Sequence, residues 1–394
     1  MIARTKVNYR LSELLQAFMV HENIHTKRQS LVYQLGKLFN TQNILLTASG
    51  RGALYILLSS LPQPRILIPA YTCKAVVEAA YLAQKEILYG ETEENGFNMT
   101  VDSLKGMLNA DTILLATHQF GFPCDIRSMI QCAKEAGSFV IEDAAASLGS
   151  RVDGQLTGTF GDAAFFSFDS TKLVNVPLKA GFLIVKDSEI FTRCKIFFDS
   201  HTSPMSFERK LYYFFLGVAL VMLEKPILYR LFHNIKFHWR GRYTDDSADF
   251  KPIIGPFYQD RLSEWQATLL LPQIVQLDQI IATRRRLYSS YCTLLKNVKS
   301  FSLPPADSNG EWALIRFPIR IHRDKLNFYR KATQLGVDFA FSFTFIESPF
   351  DFILSHKLAA SVLDIPFYNR LTDKEVKKVV SVLCDIDKTI STGA

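Results

Sequence analysis

The sequence has little of what marks several common protein classes. Only six of its 394 residues are cysteines, none of them form a C-x-x-C pair, and no Cys/His cluster has the spacing of a zinc site. We therefore expect neither a disulfide framework nor a bound metal. The apolar run at 211–223 has 13 residues, which is too few for a membrane-spanning helix of about 20 residues.

Other features that the sequence lacks exclude further classes of protein. The first residues lack the uninterrupted apolar stretch and the cleavage site of a secretory signal peptide. No internal repeat or low-complexity stretch is visible, and 48% of the residues are hydrophobic against 21% charged, which excludes intrinsic disorder. The length suits two or three domains, and the cysteine usage favours a reducing, cytoplasmic location.

From about residue 40 the chain alternates short apolar runs with segments of helical periodicity. Strands are predicted at 44–47, 65–68, 86–89, 112–117, 139–141, 163–168 and 181–186, with helices at 51–60, 72–82, 102–108 and 125–136. This spacing predicts an α/β fold with a mostly parallel sheet and helices on both faces. Ligands of such sheets bind at the carboxyl ends of the strands.

The pattern changes toward the end of the chain. A long amphipathic helical region at 262–295, broken near Pro272, precedes a predicted strand at 312–321 and a terminal helix at 373–385. We expect a large α/β domain at 1–206, an insertion at 207–248 and a small α+β domain at 249–394.

Three local features carry candidate chemistry. Ser49, Gly50 and Arg51 form a strand-to-helix junction whose backbone N–H groups favour a phosphate, although an ordinary tight turn has the same composition. Asp143 ends a buried strand, where it would pair with a protonated cofactor ring or simply cap the next helix. Lys172 follows another buried strand. Burial would make it a nucleophile and base, whereas most loop lysines are only solvated.

Seven blocks of the sequence, in order, resemble those of the DegT/DnrJ/EryC1/StrS family of sugar aminotransferases, fold-type-I enzymes that use pyridoxal 5′-phosphate (PLP). The blocks are SGRGALYILL, IPAYTCKAVVEAA, THQFGFPCDI, VIEDAAASLGS, GTFGDAAFFSFDSTK, FYQDRLSEWQATLLLPQIVQLDQIIATRRRLYSSY and VLDIPFYNRLTDKEVKKVVSVL. Each block alone is weak evidence, but seven in the family's order are specific. The resemblance implies a seven-stranded sheet, a smaller α+β domain and PLP as the cofactor.

The resemblance also implies two catalytic residues. Lys172 would be linked covalently to PLP and would move a proton between the cofactor and the substrate. Asp143 would pair with the ring nitrogen of PLP and keep it protonated. Because position 172 is lysine rather than histidine, the dehydratase branch of the family is disfavoured.

Further residues would hold the phosphate of PLP by the same resemblance. Ser167, the backbone at Gly50 and Arg51, and the preceding Ser49 form one set. Arg51 replaces the usual threonine and is a stronger phosphate ligand. Gln259, where the family has asparagine, would reach the phosphate of the neighbouring subunit, which implies a homodimer with its active site at the subunit interface.

The sequence departs from the family pattern beside the cofactor ring. Cys73 stands where the family has an aromatic residue that stacks on the ring, and Ala146 where it has a Gln or His near the phenolic oxygen. Tyr71 and His118 are candidates for the stacking role, although His118 is equally well explained as a hydrogen-bonded core residue. These departures bear on the substrate more than on cofactor binding.

The segment 207–243 is longer than the family's usual connection. From Glu208 to Arg242 seven basic residues stand against two acidic ones, which gives +5 of the chain's net charge of +7. Apolar helices beside basic and aromatic residues favour docking in the plane of a membrane, while a hairpin buried in the core or the dimer interface is equally compatible. The continuous apolar residues disfavour a nucleic-acid surface.

We therefore predict a homodimeric, PLP-dependent aminotransferase. It would move an amino group from an amino acid, by resemblance glutamate or glutamine, to a keto-sugar, most often nucleotide-linked, in surface-polysaccharide or glycoconjugate synthesis. One alternative is a related PLP enzyme with a lipid-linked or other non-sugar carbonyl substrate, and another is an inactive scaffold docked on a membrane. The predicted location is cytoplasmic or peripheral on the inner face of the membrane, without a nucleic-acid partner.

Overall fold

The computed structural model describes residues 1–20, 26–239, 252–307, 309–343, 348–349 and 351–391. Their helices are α1 (Leu11–Phe18), α2 (Thr26–Phe39), α3 (Gly50–Ser60), α4 (Lys74–Leu82), α5 (Ile126–Ala136), α6 (Ser188–His201), α7 (Phe207–Met222), α8 (Pro226–Trp239), α9 (Pro256–Gln259), α10 (Glu264–Val275), α11 (Leu277–Leu295), α12 (Lys325–Gln334), α13 (Ile353–Ser361) and α14 (Asp373–Ser391). Their strands are β1 (Ile44–Thr47), β2 (Arg65–Pro69), β3 (Glu86–Gly90), β4 (Thr112–Thr117), β5 (Phe139–Asp143), β6 (Arg151–Val152), β7 (Gln155–Leu156), β8 (Ala163–Ser167), β9 (Gly181–Val185), β10 (Phe301–Ser302), β11 (Phe317–Ile321) and β12 (Val362–Ile365).

A seven-stranded sheet in the order β1-β9-β8-β5-β4-β2-β3 forms the centre of the large domain. Strand β9 runs antiparallel to its neighbours β1 and β8, and the other adjacent strands pair in parallel. Strands β4 and β9 are buried along their whole length, as expected for a sheet that is covered on both faces. The prediction of an α/β fold with a mostly parallel sheet is confirmed.

A second, antiparallel sheet, β10-β11-β12, lies in the carboxyl-terminal part. Its core includes Phe317 of β11, which has no exposed surface. The first residues of the chain lie against this part, since Ile2 pairs with Val337 and Lys6 Nζ lies 2.9 Å from Glu375 Oε1. The predicted boundary between 248 and 249 lies outside the described residues, so the domain limits stay a prediction.

Two predicted elements are shorter than expected. The helix predicted at 102–108 is a 3₁₀ turn over Val101–Leu104, and Gly106, with φ of 72°, ends any helical continuation. The strand predicted at 312–321 is confined to β11. In both cases the apolar pattern of the sequence extends beyond the residues that form the helix or the strand.

The segment before β11 crosses to the large domain instead of extending the strand. The Ala313 N–H donates to Ser150 Oγ at 2.8 Å, and the Ile315 N–H donates to Phe120 O at 3.0 Å. Backbone groups bonded in this way are not available to a strand ladder. The crossing holds the next residue, Arg316, beside the large domain.

The long helical region also breaks at a different place from the one predicted. Pro272 lies inside α10, and the break falls at Gln276, between α10 and α11. A proline removes only one N–H from the helical ladder. Buried side chains such as Trp265 and Leu270 keep the helix packed through that position.

The insertion forms helices α7 and α8, which bend by 114° at the break between them. We call residues 207–235 the apolar elbow. Its α7 helix packs on α1, with the ring centroids of Phe214 and Phe18 4.3 Å apart. Among the described residues, no single helix is long and apolar enough to cross a bilayer, and α7 with the start of α8 reaches that length and composition only as a bent pair. Residues 240–248 of the predicted insertion lie outside the described residues.

A buried carboxylate ties a loop to the central sheet. Glu142 on β5 has no exposed surface and accepts the backbone N–H groups of Gly158, Phe160 and Gly161 at 2.6–2.8 Å. Its Oε2 also lies 3.0 Å from Nε2 of His118, at the end of β4. One side chain therefore satisfies four donors that would otherwise be buried without a partner.

We expect Glu142→Gln to lower the free energy of unfolding by about 2–4 kcal/mol, because an amide group would face the N–H donors that the carboxylate accepts. Chemical denaturation measures the change. The exposed Glu86 on β3 supplies a matched control, Glu86→Gln, which should stay within about 0.5 kcal/mol of the wild type. An unchanged midpoint for Glu142→Gln would show that the loop does not depend on this charge.

Candidate active site

The carboxyl ends of the parallel strands open into one pocket. Ser49 follows β1, Cys73 follows β2, His118 follows β4, Asp143 ends β5 and Ser167 ends β8. Strands β2, β4, β5 and β8 pair in parallel, and β1 runs in the same direction as β8 because both are antiparallel to β9, so these ends lie at the same edge of the sheet. The predicted site residues that line the pocket are Ser49, Gly50, Arg51, Cys73, His118, Asp143, Ala146, Ser167 and Lys172.

One end of the pocket is built on the amino terminus of α3. Ser49 caps this helix, accepting the Gly52 N–H at 2.9 Å and donating its own proton to Phe257 O at 2.6 Å. The hydroxyl is thus already used, and the first-turn backbone N–H groups remain as the anion-binding groups of the helix end. Gly50 is required here, since a Cβ on it would lie 2.9 Å from Ser167 Cβ.

Two cations flank the ring of Phe257 at this end. The guanidinium of Arg51 lies 5.6 Å from the ring centroid and Lys179 Nζ lies 5.4 Å from it. Each cation also has a carboxylate partner, Glu78 for Arg51 and Asp169 for Lys179, the latter at 2.5 Å. Arg51, Lys179 and Asp169 line the pocket, so the two cations, although each is paired with a carboxylate, supply N–H donors for an anionic group beside the α3 end.

Lys172 is held by a tight turn that follows β8. The Lys172 N–H donates to Asp169 O at 2.8 Å, and Thr171 Oγ1 donates to Asp169 Oδ1 at 3.0 Å. Burial lowers the pKa of Lys172, while the carboxylates of Asp143 and Asp169 act in the opposite direction. A larger share of this amine is therefore uncharged, and nucleophilic, at neutral pH than for an exposed lysine.

Asp143 brings a buried carboxylate into the same pocket. Its Oδ1 accepts the Ala145 N–H at 3.1 Å, and the residue is only 7% exposed. Burial raises the pKa of Asp143, an effect that the positive charge of Lys172 opposes. A second cation placed in the pocket would stabilise the ionised form further, which is what a protonated ring nitrogen would do.

The two candidates for ring stacking differ in position. Tyr71 does not line the pocket, has no exposed surface and donates its hydroxyl to Ser342 O at 3.2 Å. His118 lines the pocket, although both ring nitrogens are engaged, since its Nδ1 accepts the Cys124 N–H at 3.2 Å and its Nε2 faces Glu142. The structure thus leaves His118 as a pocket residue that is also a hydrogen-bonded core residue.

Gln259 lies apart from the pocket of its own chain. It is exposed at the end of α9, and its carbonyl accepts the Ser203 N–H at 2.8 Å. The expectation that its side chain reaches a neighbouring subunit stays a prediction.

Sequence reasoning missed several pocket residues. Lys179 is one of them, because no local pattern distinguishes it from a solvated loop lysine. Arg316 is another, and its NH1 lies 3.2 Å from Oδ2 of the buried Asp364. Phe343, Asp169 and Thr117 are further examples. For Thr117 a useful signal existed, because it occupies the carboxyl end of a predicted strand.

Comparisons with known proteins bear on the family and the fold of this chain. The model of the DegT/DnrJ/EryC1/StrS aminotransferase family matches residues 26–384. A UDP-N-acetyl-3-dehydro-alpha-D-glucosamine 3-aminotransferase of Acidithiobacillus ferrooxidans is 22% identical over 346 residues, covering 85% of this chain and 82% of that protein. The spore coat polysaccharide biosynthesis protein SpsC of Bacillus subtilis is 21% identical over 321 residues, covering 76% of this chain and 73% of that protein.

A solved structure shares the fold over the whole chain. The putative sugar aminotransferase Spr1654 of Streptococcus pneumoniae, in its PMP form, matches with a TM-score of 0.77 over 99% of this chain and 100% of that chain, at 14% identity. Aminotransferases of the matched family are PLP-dependent. Since the family model covers nearly all of the sequence and the fold agrees, this chain belongs to the DegT/DnrJ/EryC1/StrS aminotransferase family.

Proposed function

We propose that this protein binds PLP and transfers an amino group from glutamate to the keto group of a nucleotide-linked sugar, in the synthesis of a surface polysaccharide or glycoconjugate. The observation that carries the proposal is the sharing of one pocket by Lys172, whose pKa is lowered by burial, and the buried Asp143. The relatives named for UDP-sugar amination and for polysaccharide synthesis support the acceptor class.

The charges of the pocket fit PLP. The amino terminus of α3, with Arg51, Lys179 and Ser167, suits the phosphate, because this end combines backbone N–H groups, two cations and a hydroxyl. Asp143 suits the ring nitrogen. The Oγ1 of Thr117 is buried in the described structure without a hydrogen-bond partner, as is typical of a polar group that waits for a ligand.

The chain's own residues then divide the work of transfer. Bound PLP supplies an aldehyde that accepts the amino group and a ring that draws electrons from the reacting carbon. Lys172 would hold that aldehyde through Nζ and would carry a proton at Nζ between the reacting atoms. Asp143 would hold the ring nitrogen in its protonated form, and the α3 end would orient the ring by holding the phosphate.

Arg316 is proposed to recognise the carboxylate of the amino donor. It faces the pocket from the segment before β11, and its pairing with Asp364 through NH1 leaves further guanidinium donors. Its positive charge contributes to lowering the pKa of Lys172, as expected of a cation that lines the same pocket. A planar fork of this kind binds carboxylates in two-point contacts.

A homodimer completes the proposed site. Gln259 is exposed just after the segment that contacts Ser49, and in a dimer its amide would meet the phosphate end of the partner's pocket. This contact would give a role to Gln259, a polar residue at the end of α9 that does not line the pocket of its own chain.

A lipid-linked carbonyl acceptor is the second candidate, favoured by the exposed apolar residues of the elbow. A panel of acceptors distinguishes the two candidate functions. The purified enzyme is given UDP- and dTDP-keto-sugars or prenyl-linked keto-sugars, with glutamate as the amino donor. Amination of the soluble sugars alone supports the first proposal, and amination of the prenyl-linked acceptors alone replaces it with the second.

We expect Lys172→Ala to abolish the visible absorbance band of the PLP-bound protein and its bleaching by glutamate, and to lower transamination by on the order of 10²–10⁴-fold, because the proton carrier is lost. Absorbance titration and product mass analysis measure both effects. Lys195→Ala, at an exposed lysine of α6, is the control and should behave as wild type. Full turnover in Lys172→Ala would overturn the catalytic assignment.

Removing the carboxylate of Asp143 should make Lys172 reactive at lower pH. In the cofactor-free protein Asp143 raises the pKa of Lys172, so Asp143→Asn should lower that pKa further. Acetylation of Lys172 by acetic anhydride, followed by peptide mass analysis across pH, records the shift. The exposed Asp111 provides the control Asp111→Asn. A profile that stays in place, or moves to higher pH, contradicts the proposed pairing.

Arg316→Gln should raise the KM for glutamate by about 10–100-fold with a smaller change in kcat, because a two-point contact to the donor carboxylate is removed. Initial rates at saturating keto-sugar give this split. Arg323→Gln, at an exposed arginine two residues beyond β11, should leave KM unchanged. If the KM for the sugar rises while that for glutamate does not, Arg316 recognises the acceptor instead.

A further inference from the structure

The inner side of the apolar elbow is fixed on the protein by polar contacts along its length. These contacts join its start, its bend and its second helix to three separate parts of the chain. They are Arg209 NH2 to Asp260 Oδ1 at 2.8 Å, Glu224 Oε1 to Arg370 NH1 at 2.7 Å and Tyr229 OH to Asp338 Oδ2 at 2.5 Å. The elbow is therefore attached to the rest of the fold at three points along its length.

Apolar packing adds to this attachment on the inner side of α7. Gly217 approaches its neighbours so closely that a Cβ there would lie 2.7 Å from Pro177 Cγ and 2.9 Å from Leu14 Cδ2. Tyr213, one turn earlier, is also buried. The inner face of the helix is thus filled, and α7 cannot turn its other side inward without losing these contacts.

The outer side of the elbow is apolar as well. Tyr212, Phe215 and Met222 are exposed along one stripe of α7, and Ile227 and Leu231 are exposed along one stripe of α8, with Ile227 83% exposed. Spacings of three, four and seven residues place such side chains on one face of a helix. A soluble protein rarely exposes a continuous apolar surface of this kind unless it binds something.

The length of α7 and the angle between α7 and α8 suit contact with a flat surface. Helix α7 has 16 residues, which is about 24 Å of length, less than the roughly 30 Å of a bilayer core. The 114° bend keeps the two helices from forming one straight span. Two joined helices that meet at an angle define a plane, and their inner sides rest on the same protein body.

The charge of the elbow favours one of two possible partners for its exposed surface, a lipid bilayer or a second copy of this chain. Lys225 at the bend and Arg230 on α8 are exposed beside the apolar stripe, and the elbow has four basic residues against two acidic ones, a net +2. A symmetric contact with a second copy would set this positive patch against itself. An anionic lipid surface instead attracts the charge and accepts the apolar side chains.

We propose that the apolar elbow docks this protein, lying in the plane of the membrane, on a bilayer that contains anionic lipids. The apolar stripe enters the boundary between headgroups and acyl chains, and Lys225 and Arg230 contact lipid phosphates. Leu15 on the neighbouring α1 and Met19, directly after it, are both exposed and would widen the same surface. This docking does not depend on the proposed aminotransferase reaction.

Flotation of the full-length protein with vesicles tests the docking. Vesicles of phosphatidylcholine with phosphatidylglycerol should carry the protein, pure phosphatidylcholine vesicles should carry much less, and added salt should weaken binding. The triple variant Phe215→Ser, Ile227→Ser and Leu231→Ser should lose about tenfold or more in partitioning. Lys225→Gln with Arg230→Gln should weaken binding to the anionic vesicles only.

A matched control replaces exposed apolar residues elsewhere. Tyr33→Ser, Ile196→Ser and Val275→Ser lie on α2, α6 and α10, are comparably exposed, and should bind vesicles as the wild type does. Thermal melting checks that both triple variants fold, and transamination of a soluble keto-sugar by the elbow variant should be unchanged.

Three outcomes would overturn the proposal. The first is a wild-type protein that stays behind when anionic vesicles float. The second is an equal loss of binding in both triple variants. The third is an elbow variant whose mass by light scattering falls to that of a smaller assembly, since this would make the surface a contact between copies.

Discussion

A buried amine and a buried carboxylate in one pocket are the constraint on which the rest of the site depends. Burial disfavours the charge on each group and so lowers the pKa of Lys172 and raises that of Asp143, while each favours the charged form of the other. Strands β5 and β8 are paired in parallel, which brings the Asp143 strand end beside the turn that carries Lys172. The reactivity of the lysine is therefore set by the packing of the central sheet.

The short helix α9 links the pocket to the elbow. The carbonyl of Phe257 accepts the Ser49 hydroxyl, and a Cβ on Gly52 would lie 2.6 Å from that carbonyl oxygen. Directly after α9, Asp260 pairs with Arg209 at the start of α7. Helix α9 is thus held between the phosphate end of the pocket and the element that we propose to meet the lipid surface.

Part of the site followed from local sequence because its residues sit at strand ends. Asp143 stands where one buried apolar run stops and Lys172 comes shortly after another, so a linear pattern could mark them, whereas Ser167 was predicted only from the family resemblance. Arg316 and Lys179 have no such marker. Arg316 reaches the pocket because the segment before it forms backbone hydrogen bonds to distant residues. Lys179 reaches it through the turn after Lys172, where Leu178 has a positive φ of 66°. No glycine at that position marks the turn in the sequence.

The sequence by itself determined the α/β class, the order of the strands along the chain and the residues at their carboxyl ends, because apolar periodicity and strand termination are properties of neighbouring residues. Tertiary structure alone decided which residues from the carboxyl-terminal part face the pocket and which side of the elbow stays exposed. Those choices depend on contacts between residues far apart in the chain, whose free energies no local pattern contains.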